Sequence, residues 1–319
     1  MMSQTALLHE RRLLETGFSI GICAADSASN LNRLLALIEN ESYPQNLMLK
    51  KVILVASGCD PTAVTHAKEV ANRDRRIVII EEPTRRGKAS AINQIMTNYE
   101  GQFLVLVNSD ALPEAGAIST LLREIAKDDK VGMVSASPLV NGEDSVANSV
   151  LQLIWGVHNE CLLRLSDSHR NNHCCDELIV VRSVALHTLP PNTVNDGAYL
   201  AGAAYRAGYS IKFSEAARVA IDLPNRFVDI IRQRRRIVFG HFQIWKSVGE
   251  SPRTLESMLL EDPMQSLSIL IKTLARSPNL ILVLPVAVTS ELISIFLAVY
   301  DNLRWTDRHI TWQRFGSRS

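Results

Sequence analysis

The sequence predicts an α/β fold: a mostly parallel sheet flanked by helices, with a helical apolar appendage at the C-terminus. Short apolar runs alternate with segments of helical periodicity through the first 136 residues, the rhythm of a sheet covered on both faces. The remaining excess of apolar residues gathers at 280–300, outside that rhythm.

The elements can be justified in order. FSIGIC at 18–23 is a short apolar run suited to a strand buried on both faces. Leu31, Leu34, Leu35 and Ile38 then recur at helical spacing, after a polar stretch at 26–30 fit to cap a helix. VILVA at 52–56 is a second strand and 66–72 a helix; IVII at 77–80 is a third strand and 88–99 a helix. FLVLV at 103–107 is a fourth strand, followed by a helix over about 114–126 and a strand at 131–136. Beyond it the spacing predicts a helix at 149–165, a strand at 178–182, a helix at 196–207 and a strand at 209–213. From residue 227 the chain is basic, then helical and apolar. Ligands on parallel sheets sit beyond the C-terminal ends of the strands, so the residues just after each strand are the ones to read.

Composition narrows the function classes. Lys plus Arg number 34 against 33 for Asp plus Glu, so the chain is no polycation built for nucleic acid. The five cysteines, Cys23, Cys59, Cys161, Cys174 and Cys175, are odd in number and form no C-x-x-C pair, which points to free thiols in a reducing compartment. The N-terminal segment has no long apolar stretch of the kind a secretory signal carries.

A mean hydropathy of +0.04 is high for a soluble enzyme, and the segment at 280–300 accounts for much of it. It is long enough to cross a bilayer core. Glu291 near its middle would cost about 3 kcal/mol there, Pro285 interrupts it, and basic residues flank both ends without asymmetry. An in-plane, re-entrant or oligomer-buried helix therefore stands beside a true span, with a helix packed in a soluble core as the further alternative.

Four motifs follow the strands and helices in order: RGK at 86–88, NSD at 108–110, NDG at 195–197 and QRRRI at 233–237. In this order and spacing they resemble the family 2 glycosyltransferases of GT-A fold, in particular the membrane-associated branch with a Q-x-x-R-W motif. The resemblance covers about residues 17–245. It implies a core at 1–245, with a nucleotide-sugar half at about 17–136 and an acceptor half at about 137–245. Residues 246–319 then form a helical, membrane-associating or oligomerising region.

The resemblance implies an inverting transfer of a sugar from a nucleotide diphosphate (UDP or GDP) to a lipid-linked or surface-glycan acceptor. This would take place at the cytoplasmic face of a membrane, by a peripheral enzyme or one with a single C-terminal membrane helix. NSD stands where the family has D-x-D, so Asp110 would hold a divalent metal, Mg²⁺ or Mn²⁺, with Asn108 replacing the first acid and Ser109 beside it. A hard cation wants carboxylate oxygens and offsets charge on a departing diphosphate. NDG matches the E-D pair, so Asp196 would be the general base, or Asn195–Asp196 would cap the following helix. Gln233 and Arg236 lie three apart on one helical face and would clamp the diphosphate, for which the Arg fork is suited.

Arg232, Arg234 and Arg235 then point elsewhere, toward anionic lipid or solvent. Ile237 stands in place of the motif's Trp, which tells against processive polymer synthesis. Ala24, Asp26, Ser57 and Asp60 fall in the nucleotide region, although Ser27 replaces the family's Glu and no acid closes strand two. Lys88 would contact phosphate or form a surface pair. Trp155 and His241, with Asn195, are acceptor-side candidates, packing being the alternative for Trp155 and His241. The departures at 27, 57, 108 and 237 leave a second reading: a degenerate GT-A protein that binds a nucleotide sugar or a partner without catalysis. A nucleotidyltransferase fits the late motifs poorly.

Overall fold

The computed structural model describes residues 17–26, 30–140, 142, 145–221, 223–304 and 309. Eight strands form one sheet: β1 (Phe18–Asp26), β2 (Leu49–Cys59), β3 (Ile77–Glu82), β4 (Phe103–Asn108), β5 (Leu112–Pro113), β6 (Val131–Val140), β7 (Leu178–Arg182) and β8 (Ser210–Ile221). Their spatial order is β3-β2-β1-β4-β7-β6-β8-β5. Pairing is parallel from β3 through β2 and β1 to β4, and between β6 and β8. It is antiparallel at β7, which lies between β4 and β6, and at β5. The strand that follows β4 in the β-α rhythm, β6, is therefore not its neighbour, and the sheet is mixed.

The helices are α1 (Leu31–Asn40), α2 (Pro61–Ala71), α3 (Lys88–Asn98), α4 (Ala117–Ala126), α5 (Val146–Asp167) and α6 (Asp196–Arg206), followed by α7 (Phe227–Val248), α8 (Leu255–Glu261), α9 (Pro263–Arg276) and α10 (Leu284–Leu303). Helices α1, α2 and α4 cover one face of the sheet through Leu34, Leu35, Ala67 and Leu121, packed on Ile20, Leu54 and Val105. Helices α3 and α6 cover the other through Ile92, Ile95, Leu200 and Ala204, packed on Ile53, Leu104 and Val181. Strands buried on both faces have no polar side to show, which is why β4 and β7 read as unbroken apolar runs.

Two boundaries differ from expectation for physical reasons. α2 begins at Pro61, five residues before the periodic stretch, because the Asp60 side chain accepts a hydrogen bond from the Thr62 amide at 2.8 Å and Pro61 sits at the first helical position. β8 runs to Ile221 because a bulge lets it go on: Ala136 pairs with Ser214 and Ser137 with Arg218, after which pairing resumes.

The C-terminal helices build a third apolar cluster against α5, with Val150, Leu153 and Val157 meeting Met258, Ile269 and Leu280. Glu160, buried on α5, fixes α9 to it through Lys272 at 2.7 Å and Arg276 at 3.2 Å. Pro278–Leu303 is the one helical segment among the described residues long and apolar enough to cross a membrane. One face of it packs on α7 and α5 through Ala287, Ser290, Ser294 and Ala298. The other is exposed, with Leu282 at 81% and Phe296 at 72%.

Candidate active site

A cavity of about 1060 Å³ opens where β1, β2 and β4 end and β7 begins. Its wall is polar at the strand ends and apolar where α5 and the C-terminal helices line it. Ala24, Ser57, Asn108, Ser109 and Asp110 come to its wall from the ends of three parallel strands, as expected of the C-terminal edge of such a sheet. Lys88 enters from the head of α3, Asn195 and Asp196 from the head of α6, and Gln233 and Arg236 from α7.

Asp60 does not line this wall: its carboxylate is engaged at the head of α2. Ser57 donates to Glu82 Oε2 at 2.6 Å, and Ser90 donates to Glu82 Oε1 at 2.9 Å, so the acid at this end of the sheet comes from β3. Asp26 closes β1, and its side chain lies outside the described residues, as does Ser27.

At the centre of the polar end, the Lys88 ammonium lies 2.7 Å from Asp176 Oδ2 and 2.9 Å from Asp196 Oδ2. Lys88 is half-buried and joins the head of α3 to Asp176 and to α6 across the site. The close approach depends on Gly197. A Cβ there would come within 2.2 Å of Asp176 Cβ, so only glycine lets the head of α6 abut Asp176. Asn195 caps α6 by accepting from the Ala198 amide at 3.2 Å. Gly240 of α7 leaves room for Asn195, whose Cβ would stand 2.7 Å from an added one.

The two carboxyls are pushed apart. Burial raises Asp196 above the usual range, Asp176 adds to this, and Lys88 opposes it. Burial works on Asp176 as well, but the Lys88 ammonium overcomes it, with help from Arg236, and holds that carboxyl below the usual range. Beside them, Glu177 is pushed up to about 8 by burial and by the charges of Asp176 and Asp110. Asn108 Nδ2 donates to Glu177 Oε2 at 2.6 Å. Among the described residues no three His, Cys, Asp or Glu side chains are arranged to hold a metal ion by themselves.

Arg236 donates to the Val194 carbonyl at 2.8 Å and to the His309 carbonyl at 3.3 Å, which bends its fork to the loop ahead of α6. Each of the other arginines of the motif has an acidic partner, although Arg232 remains largely exposed. Arg232 pairs with Asp229 at 2.9 Å. Arg235 pairs with Asp301 of α10 at 2.5 Å. Arg234, 15% exposed, lies 2.7 Å from Glu291 and 3.3 Å from Glu256. That pairing explains the acid inside the apolar segment: Glu291 is turned inward to a buried arginine.

Behind the carboxylates three imidazoles line the cavity in an edge-to-face chain. His158 of α5 and His173 have centroids 5.5 Å apart, and His173 and His241 of α7 are 5.1 Å apart. Trp155 meets His158 edge-on at 5.3 Å. Burial lowers all three histidines to about 3, so they are neutral at physiological pH. All three acceptor-side candidates, Asn195, Trp155 and His241, lie on the cavity wall. Asp176, Glu177, Glu82 and His173 were not singled out by their positions in the sequence.

Among solved structures, a mannosyltransferase from Pyrobaculum calidifontis, determined in complex with GDP-Man and Mn²⁺, superposes with a TM-score of 0.61 over 94% of this chain and 93% of that one, at 18% identity. GalNAc-T7, determined with UDP, GalNAc and Mn²⁺, superposes with a TM-score of 0.51 over 77% of this chain and 57% of that one, at 10% identity. At such identities the likeness concerns the fold, which is GT-A-like. A dolichyl-phosphate beta-glucosyltransferase of Trichomonas vaginalis is 22% identical over 143 residues, 44% of each chain. An uncharacterized glycosyltransferase of Haemophilus influenzae is 21% identical over 113 residues, 35% of this chain and 34% of that one. The chain thus spans less than half the length of these curated relatives. The sequence model of glycosyl transferase family 2 matches residues 19–189, from β1 through β7, and on that match over more than half its length the protein belongs to this family.

Proposed function

We propose that the protein is an inverting glycosyltransferase that moves a hexosyl group from a UDP- or GDP-sugar to a lipid-linked acceptor, with Asp196 as general base. The observation that carries this reading is the Lys88 bridge between Asp176 and Asp196 in a cavity that is polar at the strand ends and apolar behind. Two carboxyls with displaced ionisation serve different roles. Asp176 stays charged and fixes Lys88. Asp196, raised by burial, comes nearer the working pH, where a base takes up a proton more readily than an ordinary aspartate. It takes the proton of the acceptor hydroxyl as that oxygen attacks the anomeric carbon. The diphosphate leaves from the opposite face of the anomeric carbon, and Gln233 and Arg236 of α7 offer it donors.

The donor set at the polar end suits a hard divalent cation. Asp110 and its acidic neighbours offer carboxylate oxygens, and with no complete protein cage among the described residues such an ion would fill its shell with donor phosphate oxygens. When bound, it neutralises charge on the departing diphosphate. Ala24, Ser57, Lys88, Asn108 and Ser109 form the wall against which the nucleotide lies.

The exposed apolar residues of α8 to α10, Leu260, Leu282, Phe296 and Leu303 among them, lie against a membrane with α10 in its plane. The free cysteines accord with the cytoplasmic face. Residues 246–319 serve as the attachment region, and the same surface can bring copies of the chain together.

The test pairs two measurements. Asp196→Asn should retain nucleotide-sugar affinity by calorimetry while transfer falls about 10²-fold or more, the usual range for a positioned base. Unchanged turnover would refute the role of Asp196. A nucleotide-sugar screen by thermal shift, with Mn²⁺ and Mg²⁺, should give a stabilised donor. A stabilised donor with no transfer to any lipid-linked acceptor would favour binding without catalysis.

A further inference from the structure

The inner half of the cavity holds a polar group that the donor chemistry does not use. His173 Nδ1 and His241 Nε2 are buried and have no hydrogen-bond partner among the described residues, while His158, next in the chain of rings, has the Asn159 side chain as its neighbour. A buried polar atom left unpaired costs about 1–3 kcal/mol, so two in one chamber call for a ligand that pairs them. Their rings meet edge to face and do not converge on a point, and no metal-binding set of three forms among the described residues.

The charges nearby bear on what that ligand is. Arg234 is matched by Glu291 and Glu256. Arg253, also on the wall, donates to the Arg170 carbonyl and the Tyr205 hydroxyl and lies over the Tyr205 ring. Two cations stand against two carboxylates, so the chamber has no surplus positive charge with which to receive a phosphate dianion, which favours forks of Arg or Lys. Neutral imidazoles each present a donor and an acceptor, as a hydroxyl does. Beyond them the wall is apolar, formed by Ile154, Val157, Leu270, Leu284, Val288 and Leu292. Val288 and Leu292 are 48% and 63% exposed, so this wall reaches the outer apolar face.

We propose that His158, His173 and His241 form the acceptor-head subsite, and that the acceptor is an uncharged, hydroxyl-bearing amphiphile whose chain lies along this apolar wall. The proposal rests on the glycosyl-transfer reading and narrows it, setting a neutral glycolipid or long-chain polyol against a lipid phosphate.

The full chain is titrated by calorimetry with decyl glucoside and with decyl phosphate, each below its micelle concentration, and separately with the UDP- and GDP-sugars. Decyl glucoside should bind at least about tenfold tighter than decyl phosphate, a difference of about 1.4 kcal/mol. His173→Phe and His241→Phe should weaken glucoside binding about fivefold or more and leave nucleotide-sugar affinity as it was. Equal or tighter binding of decyl phosphate overturns the proposal, and this comparison needs no variant. Unchanged glucoside affinity in folded variants overturns it too. Absence of nucleotide-sugar binding with Mn²⁺ or Mg²⁺ present overturns the donor reading instead, and is scored apart from the glucoside result.

Discussion

Lowering the pH from 7 to 5 should destabilise this protein through the three cavity histidines. In the unfolded chain each imidazole takes up a proton near 6.5. In the folded protein each does so only at about 3, because burial disfavours its charged form. Between those values the unfolded chain binds more protons, so stability is intact above about 6.5 and falls as the pH drops toward 3. The slope is about 1.4 kcal/mol per pH unit for each histidine. From pH 7 to 5 that amounts to about 2 kcal/mol each, and to about 6 kcal/mol if all three act independently. Solvent reaching His158 and His241 through the cavity lowers the sum, to about half that figure. Either value is a large part of a usual folding free energy of about 5–15 kcal/mol. Urea unfolding followed by circular dichroism at pH 7 and pH 5 measures the loss. His173→Phe, which replaces the most enclosed of the three, should remove about 2 kcal/mol of it. If wild type and His173→Phe lose the same stability over this interval to within about 0.5 kcal/mol, the burial argument fails.

Two more expectations follow from buried charge. Lys88→Met leaves Asp176 and Asp196 facing each other without their shared cation and should cost about 3–5 kcal/mol in urea melts, with recovery when Asp176→Asn is added. A loss under about 1 kcal/mol would show that the bridge contributes little. Glu291→Gln strips Arg234 of its nearest counter-charge and should cost about 3 kcal/mol, whereas the double change Arg234→Met with Glu291→Leu should restore most of it. A double variant no more stable than Glu291→Gln would refute the reading of Glu291 as a partner for a buried arginine.

The sequence shows the α/β rhythm well because strands buried on both faces leave unbroken apolar runs, and each of the seven strands it predicts overlaps a strand of the fold, the two-residue β5 alone being unforeseen. Reading the residues just after each strand found Ser57, Asn108 and Asp110 on the cavity wall. It passed over Asp176 and Glu177 for a geometric reason. β7 runs against its neighbours, so its beginning, and not its end, faces the site. An antiparallel strand reverses the rule, and direction is set by tertiary pairing that local periodicity does not encode. The imidazole chain was legible only in part: His241 was a candidate by its place after the basic motif, but His158, His173 and His241 belong to α5, to the loop before β7 and to α7 and share no spacing, so their juxtaposition was not. Glu291 was the exception, since an acid inside an apolar run already asks for a partner. What the sequence did not show is that the partner is Arg234, in a motif otherwise expected to face donor, lipid or solvent.

Helix α7 has a consequence of its own. Along its 22 residues, Gln233 and Arg236 face the strand ends, His241 faces the inner chamber, and Arg234 and Arg235 grip the C-terminal helix. One rigid rod thus borders both the polar, strand-end part of the cavity and the apolar C-terminal helices, and it is shared by both. Removing the chain after residue 245 would not leave a trimmed soluble enzyme. It would strip Glu256, Glu291 and Asp301 from their arginines and take away one wall of the vessel. Truncation within the C-terminal helices therefore acts on the cavity itself as much as on the exposed apolar surface.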